Sequence, residues 1–209
     1  TTAEPEASAS RLVGQPVVPV VDDGSPRAQA AFVLWEPPLL PAHALGAGEN
    51  GAPVRRSTVV ETADLLVDLV VAGARTVAFV RSRRSAETVA ALTRNALKQV
   101  AAALAEQVAA YRAGYLPHER RALEEKLQVG ALRAVAATNA LELGVDIAGL
   151  DAVLMAGWPG TRASLWQQAG RAGRAGQEAL AVLVARDDPL DTYVVTHPAA
   201  VFGQPGEAT

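Results

Sequence analysis

From Thr76 onward the chain alternates short apolar runs with longer amphipathic ones, and that alternation leaves few folds open. Residues 76–80, 108–111, 132–137, 151–156 and 179–185 are runs of alanine, valine and leucine of strand length. Residues 85–105, 118–128 and 164–172 repeat their apolar positions at helical spacing. Strands that alternate with helices predict a mostly parallel, open α/β sheet with helices on both faces. Upstream, residues 31–35 read as an edge or returning strand, and 36–53 as a long loop rich in Pro and Gly. Thr58-x-x-Glu61 predicts a capping box for a helix ending near Gly73. Residues 1–30, rich in Pro, Gly and Ser, read as a linker, so the domain is placed at 31–205.

Two segments carry the chemistry. The run Gln167-Gln168-Ala169-Gly170-Arg171-Ala172-Gly173-Arg174 would place Gln167, Arg171 and Arg174 on one stripe of a helix. Each helical glycine costs about 1 kcal/mol against alanine, so glycines at this density imply close approach of a backbone or a phosphate. Guanidinium forks suit phosphate oxygens because their geometry matches and they stay charged. Ser164-x-x-Gln167 is also a possible capping box, which gives Gln167 an equally weighted local role. The second segment, Ala136 to Ile147, leaves one apolar strand and precedes another. Its loop opens at the carboxyl end of a strand, where open α/β sheets bind ligands.

Together these segments resemble the last two motifs of superfamily-2 helicases. The first such motif is Ala-Thr, a short spacer, then Gly-x-Asp, matched here by Thr138, Gly144 and Asp146. The second is Gln-x-x-Gly-Arg-x-Gly-Arg, matched by Gln167, Gly170, Arg171, Gly173 and Arg174. Thr76–Val80 followed by Arg81-Ser82-Arg83-Arg84 resembles the motif that opens the second RecA-like domain. Ala110 to Leu127 resembles the next element, and the similarity runs from about residue 57 to about residue 186. Asn139 to Gly144, Gly157-Trp158-Pro159-Gly160-Thr161 and Ser164-Leu165-Trp166-Gln167-Gln168 resemble one branch, the DNA-repair helicases of the Hrq and mitomycin-repair type.

The resemblance implies a P-loop-type, RecA-like second motor domain that supplies half of a nucleotide site. Arg171 and Arg174 would act on the terminal phosphates as arginine fingers, with Gly144, Asp146, Gln167 and Gly170 beside the nucleotide. Arg81, Ser82, Arg83 and Thr138 would hold strand phosphates, and single-stranded DNA or DNA with a single-stranded tail would be the partner. ATP and magnesium would be bound mainly by the first RecA-like domain. The sequence carries no Gly-x-x-x-x-Gly-Lys-Ser/Thr loop, its two lysines being Lys98 and Lys126, and no Asp-Glu pair for magnesium. The chain is therefore expected to be a piece of a larger enzyme, inactive as an ATPase alone. Leu143 stands where RNA helicases of the DEAD-box kind carry arginine, which lowers the alternative of an RNA helicase.

Composition narrows the remaining classes. There is no cysteine, and His43, His118 and His197 lie far apart, so no metal site is expected. The formal net charge of −3 argues mildly against nucleic acid. Yet between Arg75 and Arg133 eleven basic residues face five acidic ones, enough for a local phosphate-binding face. No apolar run approaches the roughly 18 residues of a membrane span, and a cytoplasmic, nucleoid-associated protein is expected. A Rossmann enzyme would need a Gly-x-Gly-x-x-Gly turn between an early strand and a helix, and none is read here. A non-catalytic module for nucleic acid or a partner protein stays open as the other rival.

Overall fold

The computed structural model describes residues 4–20, 30–41, 53–111, 115–139, 150–173 and 178–203. Its centre is a six-stranded sheet made of β1 (Ala30–Trp35), β2 (Thr76–Phe79), β3 (Val108–Tyr111), β4 (Ala134–Ala137), β5 (Ala152–Ala156) and β6 (Ala179–Val184). The strand order is β1-β6-β5-β2-β4-β3, and every pairing is parallel. The expected mostly parallel sheet is thus parallel throughout, and residues 31–35 do form an edge strand.

Side chains alternate across the sheet with a period of two, and each face has its own helices. Ala78, Val80, Ala134, Ala136 and Leu154 meet α2 (Thr58–Val71), α3 (Arg83–Val100) and α4 (Ala102–Ala105) on one side. Val77, Phe79, Val135 and Met155 meet α5 (Pro117–Gln128), α6 (Arg162–Ala169), α7 (Pro189–Thr196) and α8 (Ala199–Phe202) on the other. Small alanines on the first face let α2 and α3 lie close to the strands. Within the segment expected to be linker, Pro5–Val13 forms α1, none of whose side chains is buried.

Local capping departs from expectation at both predicted boxes, because a tertiary partner or an earlier cap takes over. The Thr58–Glu61 box does not form: Thr58 donates its hydroxyl to the Ala185 carbonyl at 2.9 Å, and Ser57 occupies the cap position. Glu61 instead accepts from Trp35 Nε1 at 2.9 Å and from Arg56 at 3.1 Å. The Ser164–Gln167 box is replaced by Thr161, whose hydroxyl accepts from the Ser164 amide at 3.0 Å, so α6 starts earlier than predicted. Asp188 caps α7 by accepting from the Asp191 amide at 2.9 Å. The string Gly46-Ala47-Gly48-Glu49-Asn50-Gly51 has Rossmann spacing but lies outside the described residues and leads into Pro53, not into a helix, since α2 opens only at Thr58.

Candidate nucleic-acid interface and motor face

The carboxyl ends of β2, β4 and β5 surround a cleft of about 180 Å³. Arg81, Asn139, Gly157, Pro159, Ser164 and Gln168 line it. A second cleft of about 250 Å³ opens beside it, lined by Ser57, Thr58, Ser85, Arg81 and Arg186. The two share Val80, Arg81 and Ala156, so Arg81 stands between them.

The segment after β2 is built to present positive charge. Ser82 caps α3, its hydroxyl accepting from the Ser85 amide at 3.0 Å. Arg81, Ser82, Arg83 and Arg84 are all exposed. A helix N-terminus is the positive end of the macrodipole and favours carboxylates, yet the first turn of α3 holds no acid and begins with two arginines. That placement costs the helix a little and concentrates positive potential at the sheet edge, where an anion would be met by both guanidinium groups and orphan amides. Thr138 follows β4 and is buried at 8% exposure, while its neighbour Asn139 is exposed and lines the first cleft.

The arginine run does not form the predicted stripe. Helix α6 ends at Ala169, and Gly170 is its C-cap. Arg171 sits in the turn beyond, its amide bonding the Gln168 carbonyl at 3.1 Å. Ala172 then pairs with Leu150, and the Gly173 amide donates to the Leu150 carbonyl at 3.0 Å. Gly173 has φ of +79°, a left-handed conformation that glycine adopts without strain. The glycines therefore end the helix and turn the chain, which removes the helical cost that made them look anomalous. Arg174, Gly144 and Asp146 lie outside the described residues. Because Leu150 precedes β5, Arg171 lies toward the amino end of that strand, whereas Arg81, Ser82, Arg83 and Thr138 cluster at the carboxyl edge. Helix α6 runs between the two places. Gln167 is half-buried on it, and it is Gln168, 6% exposed, that lines the cleft one turn after Ser164. Sequence reasoning missed Gln168, Ser164 and Asn139. The signal available was the four-residue spacing of Ser164 and Gln168 on a helix capped at Thr161.

A carboxylate with no exposure fixes the loop between β5 and α6. Asp191 Oδ2 accepts from the Trp158 amide at 3.0 Å, the Arg186 amide at 2.9 Å and Arg186 Nε at 3.1 Å. Its Oδ1 accepts from Arg186 Nη2 at 2.8 Å. The hydrogen bonds to Asp191 raise the Arg186 pKa above its ordinary value, against the opposing effect of burial. At the far edge of the sheet, Tyr111 donates its hydroxyl to Glu124 at 2.6 Å. Burial, reinforced by that carboxylate, pushes the phenol up to about 12.

Among the described residues no group of three or more His, Asp or Glu could hold a metal ion. No described helix is long and apolar enough to cross a membrane.

The family described as the helicase conserved C-terminal domain matches residues 61–176. The chain belongs to that family. It is 37% identical over 208 residues to the ATP-dependent helicase YprA of Bacillus subtilis, covering 100% of this chain and 26% of that protein. It is 41% identical over 182 residues to the ATP-dependent helicase HRQ1 of Saccharomyces cerevisiae, covering 87% of this chain and 16% of that protein. A structure of the DUF1998 helicase MrfA bound to DNA and AMPPNP matches with a TM-score of 0.88 at 37% identity, over 100% of this chain and 28% of that one. The Lhr helicase of Mycobacterium smegmatis, bound to ssDNA and AMP-PNP, matches with a TM-score of 0.75 at 25% identity, over 99% of this chain and 26% of that one. These relatives place the chain in the Hrq and MrfA branch of superfamily 2, as a RecA-like C-terminal helicase domain. The chain spans about a quarter or less of the length of the curated relatives YprA and HRQ1.

Proposed function

We propose that this chain is the second motor domain of a longer ATP-dependent DNA helicase or translocase that serves DNA repair. The observation that carries the proposal is the division of the charged residues between two ends of one helix. The carboxyl edge gathers Arg81, Ser82, Arg83 and the amide-lined cleft, while Arg171 leaves the other end of α6 in a glycine-shaped turn. The carboxyl edge would hold the phosphates of single-stranded DNA, which positions the protein without reading sequence. Arg171 and Arg174 would meet the terminal phosphates of ATP held by the first RecA-like domain, with Gln167, Gly170, Gly144 and Asp146 beside them. Magnesium, held mainly by that first domain, would supply charge neutralisation at the phosphates. The arginines would stabilise the charge that develops during transfer to water. Opening and closing of the two domains as nucleotide turns over would move the strand.

Support comes from the match of this whole chain to 28% of a helicase whose structure contains DNA and a nucleotide analogue. The test is steady-state ATP hydrolysis by the helicase containing this chain, with and without an unstructured single-stranded oligonucleotide. Hydrolysis stimulated by the oligonucleotide and lost in Arg171→Ala supports the proposal. Unstimulated hydrolysis, or no effect of Arg171→Ala, refutes it.

A further inference from the structure

The Arg186–Asp191 pair lies outside the assigned phosphate contacts, yet it holds the element that joins them. Asp191 is fully buried, and its carboxylate binds the Trp158 amide just after β5 and the Arg186 amide and guanidinium just after β6. The Arg186 side chain lies against Gly157, where a Cβ would collide with its Nε and Cδ, and the residue has φ of +89°. The loop from β5 to α6 is therefore gripped between a carboxylate and a guanidinium. A second tie, from Arg162 Nε to the Ala200 carbonyl at 3.1 Å, fixes the first turn of α6 to α8. Beyond that grip, α6 is a single rod of eight residues. Ser164 in its first turn and Gln168 in its last both line the carboxyl-edge cleft, and the chain beyond its far end leads to Arg171.

We propose that Arg186 and Asp191 are positioning residues that couple strand binding to nucleotide hydrolysis by fixing the orientation of α6. The proposal rests on the functional reading above. A bidentate guanidinium–carboxylate pair defines a plane and a register. An apolar contact of the same size would stabilise the fold equally well or better but would let the loop slide. A small rotation of the rod at its gripped end displaces both Gln168 and Arg171, and misplacement by about an ångström is enough to cost roughly a hundredfold in rate.

The experiment uses the helicase containing this chain, with Asp191→Asn and Arg186→Lys. Asparagine keeps the shape and one acceptor oxygen but loses the charge. Lysine keeps the charge and loses the fork. Melting temperature, KM for ATP, and turnover with and without a saturating thymidine oligonucleotide are measured on the same preparations. The expected result is a fall of about ten- to a hundredfold in the ratio of stimulated to unstimulated turnover, with KM for ATP little changed. A purely structural role would lower both turnovers in proportion to the folded fraction and leave the ratio intact, and that outcome overturns the proposal. Arg186→Lys leaves the Asp191 bonds to two backbone amides in place, so it reports even where Asp191→Asn does not fold. A wild-type protein without stimulated hydrolysis refutes the functional reading itself. Stimulated wild type with unaltered variants refutes only the coupling.

Discussion

Arg171 and Tyr111 show how differently two polar side chains of this fold are used. Arg171 leaves a turn at the end of α6 and sits half-buried there. If it stabilises charge mainly in the transition state, its loss lowers turnover far more than ATP affinity. Arg171→Ala in the helicase containing this chain is expected to cut kcat by roughly 10³–10⁵, the range for arginine fingers. Thermal melts beside single-turnover hydrolysis on the same preparation separate lost turnover per folded molecule from lost folding.

Tyr111 instead serves stability, and it makes that stability depend on pH. Its phenol pKa rises from 10.0 unfolded to about 12 folded, so the folded state holds the proton more tightly. That contribution is fully present below pH 10 and is lost as pH rises toward 12, by up to about 1.4 kcal/mol per pH unit. Tyr111→Phe should flatten the alkaline limb of a denaturation series between those limits. An unchanged slope would show that Tyr111 does not titrate there.

At the scale of an element, α3 trades stability for charge. Its first turn holds Arg83 and Arg84 where the macrodipole favours acids. Arg83→Glu should therefore raise the melting temperature by about 1–3 °C while weakening binding of single-stranded DNA. A lower melting temperature, or unchanged binding, would contradict the role given to this helix end. The α6 boundaries show the limit of sequence patterns at this scale. The spacing of Gln167, Arg171 and Arg174 fits a helical stripe, but Gly170 caps the helix and Gly173 takes a positive φ. Periodicity alone cannot separate a glycine tolerated inside a helix from one that ends it. The difference is decided by Leu150, whose carbonyl takes the Gly173 amide.

For the molecule as a whole, the net charge of −3 hides a basic edge on an acidic body. Binding to a single-stranded oligonucleotide should accordingly be weak, indifferent to sequence and steep in salt. Each phosphate neutralised contributes about −0.7 to the slope of log K against log salt. Arg83→Ala should make that slope shallower by about 0.7 and weaken binding evenly across sequences, as titrations at several salt concentrations would reveal. A sequence-dependent, salt-insensitive complex would favour a dedicated recognition module instead.

The α/β class, the five strands from Thr76 onward and the order of the two motifs are legible along the chain. Those features are local: apolar period, strand length and residue spacing are written along the chain. The tertiary structure alone decided which ends of the elements meet. Strand order brings β2, β4 and β5 side by side, so that Arg81, Asn139 and Gln168, remote in sequence, share one cleft. It also decided the fate of ambiguous polar residues. Glu61 left its capping box because Trp35 and Arg56 offered partners across the fold, and Asp188 and Asp191 became a cap and a buried clamp because Trp158 and Arg186 stood within reach. A side chain with several possible hydrogen-bond partners goes to the one that packing brings and dehydrates, and that choice is made only once the strands are paired.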